Sequence, residues 1–298
     1  MVVLAILSSS SATFAMSSTN YQVNWDSINS GGDDTSSSTN YILHDTIGEQ
    51  ATGSSTSATY RVGAGYRFGD TDAAVLSYSI GTQENSTETA FTAFSNGGNT
   101  VTVASVASYS VGNYIGVVEN KGAAQIIAVG KITDITGFVI TVDAWDGSPT
   151  LISAVPAGGD DFVYRLNGSA AQLGTLTSSI VATSLTRTNV ISNLSNGYTV
   201  YVSSDGFLRV DSSTKITDVA DGTVTAGSNE YGARVFGSTA TSTGSDFAFS
   251  TSSRAIQTAT STYANDSRVG LVYKAAISGS ATAGSYSQAV YYTLTGNY

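Results

Sequence analysis

The sequence predicts an all-β protein, and three observations support this class. The 298 residues include 17 Tyr, 10 Phe and 31 Gly but only 2 Pro, a composition that suits pleated, half-buried strands joined by tight turns. Apolar and polar residues alternate in several short segments. A short sequence also recurs near the N-terminus. We expect an N-terminal β-repeat segment, a small central β-barrel and a C-terminal β-sandwich.

Residues 1–15 are interpreted as a signal peptide. An apolar run at residues 2–7 is followed by small residues before Met16, as at a cleavage site. The run is too short to span a bilayer, and we expect no transmembrane span. The alternative is a buried N-terminal strand. Export would place the protein outside the cell or on its surface.

Residues 16–81 are predicted to be the β-repeat segment. The pentapeptide Ser-Ser-Thr-Asn-Tyr occurs at residues 17–21 and again at 37–41, and a looser copy follows at 56–60. A period of about 20 residues is too short for a domain but long enough for a strand, a turn and a returning strand.

The third repeat continues into the longest alternating pattern of this segment. Apolar residues occupy every second position and Arg or Gly the positions between, which predicts a half-buried strand. The apolar positions are Tyr60, Val62, Ala64, Tyr66 and Phe68, and the intervening ones are Arg61, Gly63, Gly65 and Arg67.

Residues 82–146 are predicted to form the small β-barrel. Five Val- and Ile-rich strands are expected at 100–103, 114–118, 125–129, 132–135 and 138–142. Closing so small a sheet removes its exposed edges.

Residues 147–161 are predicted to be a linker, and residues 162–298 to form the β-sandwich. The final segment from 286 places apolar residues on one face of a strand, since all occupy even positions. These residues are Tyr286, Val290, Tyr292, Leu294 and Tyr298.

Charge and cysteine content exclude several classes of function. The formal net charge of −10 repels phosphate backbones and anionic membranes, so nucleic acid is not an expected partner. The absence of Cys excludes disulfides, thiolate nucleophiles and cysteine metal sites. The stability of an exported chain would then come from sheet packing, ions or assembly.

No constellation of catalytic residues stands out. The single His44 has no Gly-x-Ser-x-Gly nucleophile motif to work with, and we expect no enzymatic activity and no cofactor other than calcium. Acidic pairs in Gly-rich loops are calcium-ligand candidates, against the alternative of plain solvated turns. The candidates are Asp33, Asp34, Asp70, Asp72, Asp160 and Asp161. Trp25 and Trp145 are candidates for stacking on sugar rings, against the alternative of core residues.

Two segments resemble known proteins. The repeats lead into Asp-Thr-Ile-Gly-Glu-Gln-Ala-Thr-Gly at 45–53 and Tyr-Arg-Val-Gly-Ala-Gly-Tyr at 60–66. With these motifs, residues 17–67 resemble uncharacterised secreted, repeat-bearing surface proteins of candidate phyla radiation bacteria. The segment 284–295 is similar to the closing strand of pilin-like and spore-coat-like β-sandwiches. These resemblances imply an exported, surface-associated, β-rich protein and supply no catalytic residue.

The function expected from these features is structural. The leading hypothesis is a non-enzymatic extracellular protein of a surface layer (S-layer) or filament, which self-assembles as a homo-oligomer or polymer through strand pairing between subunits. The alternative is an adhesin that binds surface glycans or a host partner. A glycosidase-like enzyme is a third class, and it requires two carboxylates across a cleft.

Overall fold

The computed structural model describes residues 75–241, 243–260 and 264–297, together with the backbone of six short strands that precede them. The chain divides into two compact units, Met1–Ala73 and Ala74–Tyr298. The described residues confirm the all-β class, since their helices are two three-residue 3-10 segments, Asn85–Thr87 and Pro149–Leu151. None of the described helices is long and apolar enough to cross a membrane.

The described strands of the first unit form three antiparallel pairs. They are β1 (Met16–Ser17) with β2 (Gln22–Val23), β3 (Ser36–Ser37) with β4 (Ile42–Leu43), and β5 (Gly53–Thr56) with β6 (Arg61–Ala64). Met16 pairs with Val23 and Ser36 pairs with Leu43, so each copy of the repeated pentapeptide begins in one strand and ends just before its partner. The sequence repeat is therefore a repeated antiparallel pair.

The second unit contains the remaining described strands, which form three sheets. The strands are β7 (Leu76–Thr82), β8 (Thr89–Ser95), β9 (Thr100–Val103), β10 (Tyr114–Glu119), β11 (Ile126–Thr136), β12 (Val139–Val142), β13 (Asp146–Gly147), β14 (Phe162–Arg165), β15 (Ala182–Ser192), β16 (Tyr198–Ser204), β17 (Thr217–Asp218), β18 (Glu230–Phe236), β19 (Arg254–Ala259), β20 (Ala264–Ala276) and β21 (Val290–Gly296).

The first sheet closes into a ring. Its strand order is β10-β14-β8-β9-β12-β11, and β11 pairs back onto β10, while β13 adds to β11. All of these pairs are antiparallel. Alternate residues of the short strands point inward, so Val101 and Val103 of β9 are buried. The interior is filled by apolar side chains around the Phe94 and Trp145 rings, whose centroids lie 5.1 Å apart.

The strand pairing places the boundaries of this ring differently from the predicted segment 82–146. β14 lies inside the predicted sandwich segment, but it fills the gap between β8 and β10 and closes the ring. The predicted linker 147–161 also contributes to the ring, since Ile152 is buried in its core. β7, assigned mainly to the repeat segment, pairs instead with β15. Long-range pairing removes open edges, and local sequence does not reveal it.

The other two sheets pack face to face as a sandwich. One has the order β17-β18-β20-β15-β7 and the other has the order β19-β16-β21. Odd-numbered residues of β20, such as Leu271 and Tyr273, point into the space between these sheets. There they meet Val200 and Val202 of β16, which are also buried.

The five-stranded sheet also packs against the ring through its opposite face. Even-numbered residues of β20 point that way, and Val272 joins a core cluster with Leu185 of β15 and Ile127 of β11. Gly270 faces the same interface, where a Cβ atom would collide with the Ile127 side chain. The backbone of β20 thus approaches the ring more closely than any residue with a side chain would allow. Residues 268–276 of β20 are therefore buried on both faces of the sheet.

Two buried charges of β20 on the ring-facing side form ion pairs, while the buried Arg187 of β15 stacks on the Tyr114 ring at 3.6 Å. Arg268 donates to Asp143 at 2.9 Å and to Asp146 at 2.8 Å. Lys274 lies 2.8 Å from a carboxylate oxygen of Asp246 and donates to a carbonyl oxygen of the ring. Because a buried charge without a partner costs several kcal/mol, the Arg268 pairs and the hydrogen bond from Lys274 to the Ala123 carbonyl help to fix how the sheet and the ring meet.

Leu185 provides a test of this shared interface. Leu185→Ala is expected to lower the free energy of unfolding by about 2–5 kcal/mol, because it opens a cavity between the ring and the sheet. Chemical denaturation followed by circular dichroism measures the change. The matched control is Leu151→Ala, whose side chain is 63% exposed and which should change stability little. A Leu185 variant as stable as the control would contradict the shared core.

Candidate functional site

A stripe of buried hydroxyl groups lies on the inner face of the five-stranded sheet. Ser184, Thr186 and Thr188 alternate along β15, so their side chains share the face that points toward the three-stranded sheet. All three residues are fully buried. Thr188 donates to Gln257 at 2.9 Å. The hydroxyls of Ser184 and Thr186 have no hydrogen-bond partner in the described part of the chain.

A cluster of four tyrosines lies beside this stripe. The hydroxyls of Tyr273 and Tyr292 are 2.6 Å apart and join the two sheets. Tyr231 donates to Gln288 at 2.8 Å. The buried hydroxyl of Tyr78 has no partner among the described residues. The cluster thus combines satisfied and unsatisfied polar groups in one apolar setting.

Burial raises the pKa of each of these phenols. Desolvation is the largest cause for Tyr78, Tyr231, Tyr273 and Tyr292, because a phenolate is poorly stabilised away from water. Repulsion between neighbouring phenolates raises the pKa of Tyr78, Tyr231 and Tyr292 further. All four side chains therefore remain neutral over the physiological pH range.

An open groove of about 1430 Å³ runs over this floor. Thr186, Tyr273 and Tyr231 contribute to its floor, and the loops 167–176 and 281–288 form much of its walls. None of the described lining residues carries a charge. The groove therefore suits an uncharged occupant that offers apolar groups together with hydrogen-bond donors and acceptors.

One side of the groove is formed by β7, an edge strand. β7 pairs with β15, and no second strand of the described residues pairs with it between Leu76 and Ile80. The register, with Gln83 donating to Leu185, directs the backbone groups of odd-numbered residues toward β15. The N–H and C=O groups of Leu76, Tyr78 and Ile80 consequently point outward, where they meet no partner among the described residues.

The other side is formed by β21, which is also an edge strand. β21 pairs with β16 in a register that directs its odd-numbered backbone groups inward to the sheet. The N–H and C=O groups of Val290, Tyr292 and Leu294 therefore point away from β16. They too have no backbone partner among the described residues.

The same residues carry side chains that are incompletely covered. Leu76, Tyr78, Val290, Tyr292 and Leu294 pack against the sandwich core but stay half-buried. Ile80, which lines the groove, is 40% exposed. Each edge strand thus offers unpaired backbone groups and apolar side chains at the same positions.

The predicted site residues are not brought together at this groove. Trp145 is 9% exposed and packs on Phe94 inside the ring, so its ring is not available to stack on a sugar. Asp161 is buried and accepts hydrogen bonds from the amides of Asn120 and Gly158, as a turn-forming residue does. Asp160 is exposed. The other candidates, Trp25, Asp33, Asp34, Asp70 and Asp72, lie outside the described residues.

Among the described residues, no three His, Cys, Asp or Glu side chains lie close enough together to hold a metal ion. Three carboxylates, those of Asp143, Asp146 and Asp266, contact the Arg268 guanidinium. The guanidinium already supplies the positive charge at that position. It therefore takes the place that a metal ion would fill.

Sequence reasoning missed most of the groove. The shared face of Tyr286, Val290, Tyr292 and Leu294 was predicted, and the structure places these side chains against the sandwich core. The hydroxyl stripe has a sequence signal, the alternation at 184, 186 and 188, but hydroxyl residues at such spacing also occur on solvent-exposed strands. The two free edges have no local signal, because an edge is defined by which strands fail to pair.

Comparisons with known proteins add no family to this description: no protein-family model matches the chain, and no curated protein or solved structure matches it.

The hydroxyl stripe generates a paired test. Thr186→Val removes an unpartnered buried hydroxyl at nearly constant volume, so stability should stay the same or rise. Thr188→Val removes the donor to Gln257 and should cost about 1–3 kcal/mol. Urea denaturation of the two variants gives the comparison. Equal losses would mean that the Thr186 hydroxyl has a partner in solution.

The tyrosine cluster predicts a dependence of stability on alkaline pH. Because the folded protein holds these phenol protons more tightly than the unfolded chain, the stabilisation is complete below the unfolded pKa of about 10 and is lost as the pH rises above it. Denaturation curves between pH 8 and 11 should show a fall in unfolding free energy that is smaller in Tyr273→Phe. Tyr291→Phe makes the same change on a 55% exposed residue outside the cluster and is the matched control. Identical pH dependence in both variants would contradict the assignment.

Proposed function

We propose that the protein is a non-enzymatic extracellular structural protein of a surface layer or filament, and that its subunits associate by β-strand pairing. The observation that carries this proposal is the pair of free edges, β7 and β21, on either side of an uncharged groove. An unpaired strand edge is a template for a strand from another chain.

At Leu76, Tyr78 and Ile80, an added strand would gain both backbone hydrogen bonds and buried apolar surface. A strand added to β7 would pair the outward groups of Leu76, Tyr78 and Ile80, each hydrogen bond contributing about 0.5–1.5 kcal/mol net. Its alternate side chains would enter the groove and cover these half-buried residues, at about 25 cal/mol per Å² of apolar surface removed from water. Pairing gives affinity, and the fit of side chains gives specificity.

The composition supports placement outside the cell. The few charges, the abundant hydroxyl residues and the candidate signal peptide at 1–15 are typical of an exported chain. The strand pairs β1–β2, β3–β4 and β5–β6 add a repeated unit, which is the usual way in which a protein builds an extended surface.

A second candidate, a glycan-binding adhesin, is favoured by the character of the groove lining. Neutral sugars are bound by amide and hydroxyl side chains with aromatic faces, and Asn167, Gln172 and Tyr286 supply these groups. Glycan-array binding by the full chain that is lost in Gln172→Ala would support this candidate. Binding that survives the change would place the glycan elsewhere.

Strand pairing at β7 predicts that assembly depends on one outward N–H group. Ile80→Pro removes that donor, while the ladder with β15 keeps its hydrogen bonds because the Ile80 N–H points away from it. Self-association of the full chain, measured by sedimentation and electron microscopy, should be lost in Ile80→Pro.

Ile80→Val is the matched control, since it keeps the N–H group and should assemble like the unaltered chain. Thermal melting of both variants checks that each is folded. A folded Ile80→Pro variant that assembles normally, or an unaltered chain that stays monomeric at high concentration, would refute pairing at this edge.

A further inference from the structure

We infer that the strand that occupies the groove is residues 59–68 of a second copy of this chain, added along the free edge of β7. This inference rests on the proposed function and names the donor segment and the acceptor strand. It follows from the chemistry of the groove, the alternation in the segment and the pairing state of both strands.

We place the occupant on another copy because the described residues of the chain leave this edge open. The outward groups of Leu76, Tyr78 and Ile80 have no hydrogen-bond partner in the part of the chain that the structure describes. Thr82 exchanges two hydrogen bonds with Gly168, which covers the end of the strand and leaves the rest open. The open stretch is therefore bounded, and its five residues match the length of a short strand.

The groove selects a segment whose inward side chains carry no charge. Burying an unpaired charge against its uncharged lining would cost several kcal/mol. Alternation in the segment 59–68 separates apolar residues from Arg61 and Arg67, so one face can enter the groove while both arginines stay on the other.

The other repeats fit less well. The first repeat alternates over a shorter stretch, from Tyr21 through Val23 to Trp25. The second repeat leads into His44 and Asp45 within two residues of its last apolar pair. The third repeat offers apolar residues at five successive alternate positions, which is more than the three outward positions of β7 require.

The backbone of the donor segment is also available for pairing. β6, which lies within it, pairs with β5 in a sheet of two strands, so its second edge has no strand beside it among the described residues. Addition of β6 to β7 would extend the five-stranded sheet by the β5–β6 pair. Donor and acceptor lie in different units of one chain, so the contact is heterologous and gives an open, head-to-tail polymer.

Cysteine scanning tests this inference in the full chain, which contains no Cys of its own. One copy carries Ile80→Cys, and a second copy carries one cysteine in the donor segment. The inward series is Val62→Cys, Ala64→Cys and Tyr66→Cys, and the matched outward series is Arg61→Cys, Gly63→Cys and Gly65→Cys. Disulfide formation requires Cβ atoms within about 4.5 Å, so it reports direct proximity.

When the Ile80→Cys copy is mixed with a copy of the inward series and oxidised, disulfide-linked dimers should form. Mixtures with the outward series should form none. Assembly of each mixture, measured separately by sedimentation, keeps the two proposals apart. Assembly without linkage in either series would overturn the donor segment and leave strand-mediated assembly standing. Absence of assembly would overturn both.

Two other results would also overturn the inference. Dimers formed by Ile80→Cys alone would show that two β7 strands pair with each other. An intramolecular disulfide in a chain that carries both Val62→Cys and Ile80→Cys, with none between mixed copies, would show that the segment of the same chain occupies the groove.

Discussion

The second unit depends on the burial of β20 on both of its faces. Its odd-numbered residues, such as Leu271 and Tyr273, fill the sandwich, and its even-numbered residues, such as Val272, fill the interface with the ring. A strand in this position must place every side chain in one core or the other. Its charged residues Arg268 and Lys274 are accommodated because each meets carboxylates at the margin of the interface. The ring and the sandwich are thereby joined through one sheet.

The same sheet explains why the groove exists. Its ring-facing side is covered by the closed sheet, but its other side is covered by a sheet of three strands against five. Three strands leave part of the inner face open, and the opening falls between β7 and β21. The aromatic and aliphatic residues there are half-buried because the layer above them is too narrow.

A strand could be predicted from the sequence where one of its faces is polar and the other apolar. β9 was predicted as 100–103 and is Thr100–Val103, because its residues alternate between the ring interior and its surface. β15 was not predicted, since both of its faces are buried and its hydroxyls, Arg187 and Asn189 conceal any alternation. β11 was predicted as two strands, 125–129 and 132–135, whereas in the structure one strand continues through Gly130 and Lys131. The closure of the ring by β14 joins residues too distant in sequence for any local pattern to reveal.

The candidate site was less predictable than the fold for a related reason. Side-chain type pointed to Trp145 and Asp161, and the structure places Trp145 in the core of the ring and Asp161 in a turn. The groove is instead defined by missing contacts, namely the two unpaired edges and the unpartnered hydroxyl of Thr186 on its floor. A buried hydroxyl without a partner costs about 1–3 kcal/mol, and valine would fill the position of Thr186 without that cost. In the ring interior, the buried hydroxyl of Tyr109 is hydrogen-bonded to two backbone carbonyls, so it does not carry this cost. The indole N–H of Trp145 in the ring core also lacks a partner among the described residues, but it lies inside a closed sheet. What distinguishes the floor of the groove is that the unpartnered hydroxyl of Thr186 lies on a surface bounded by two open strand edges.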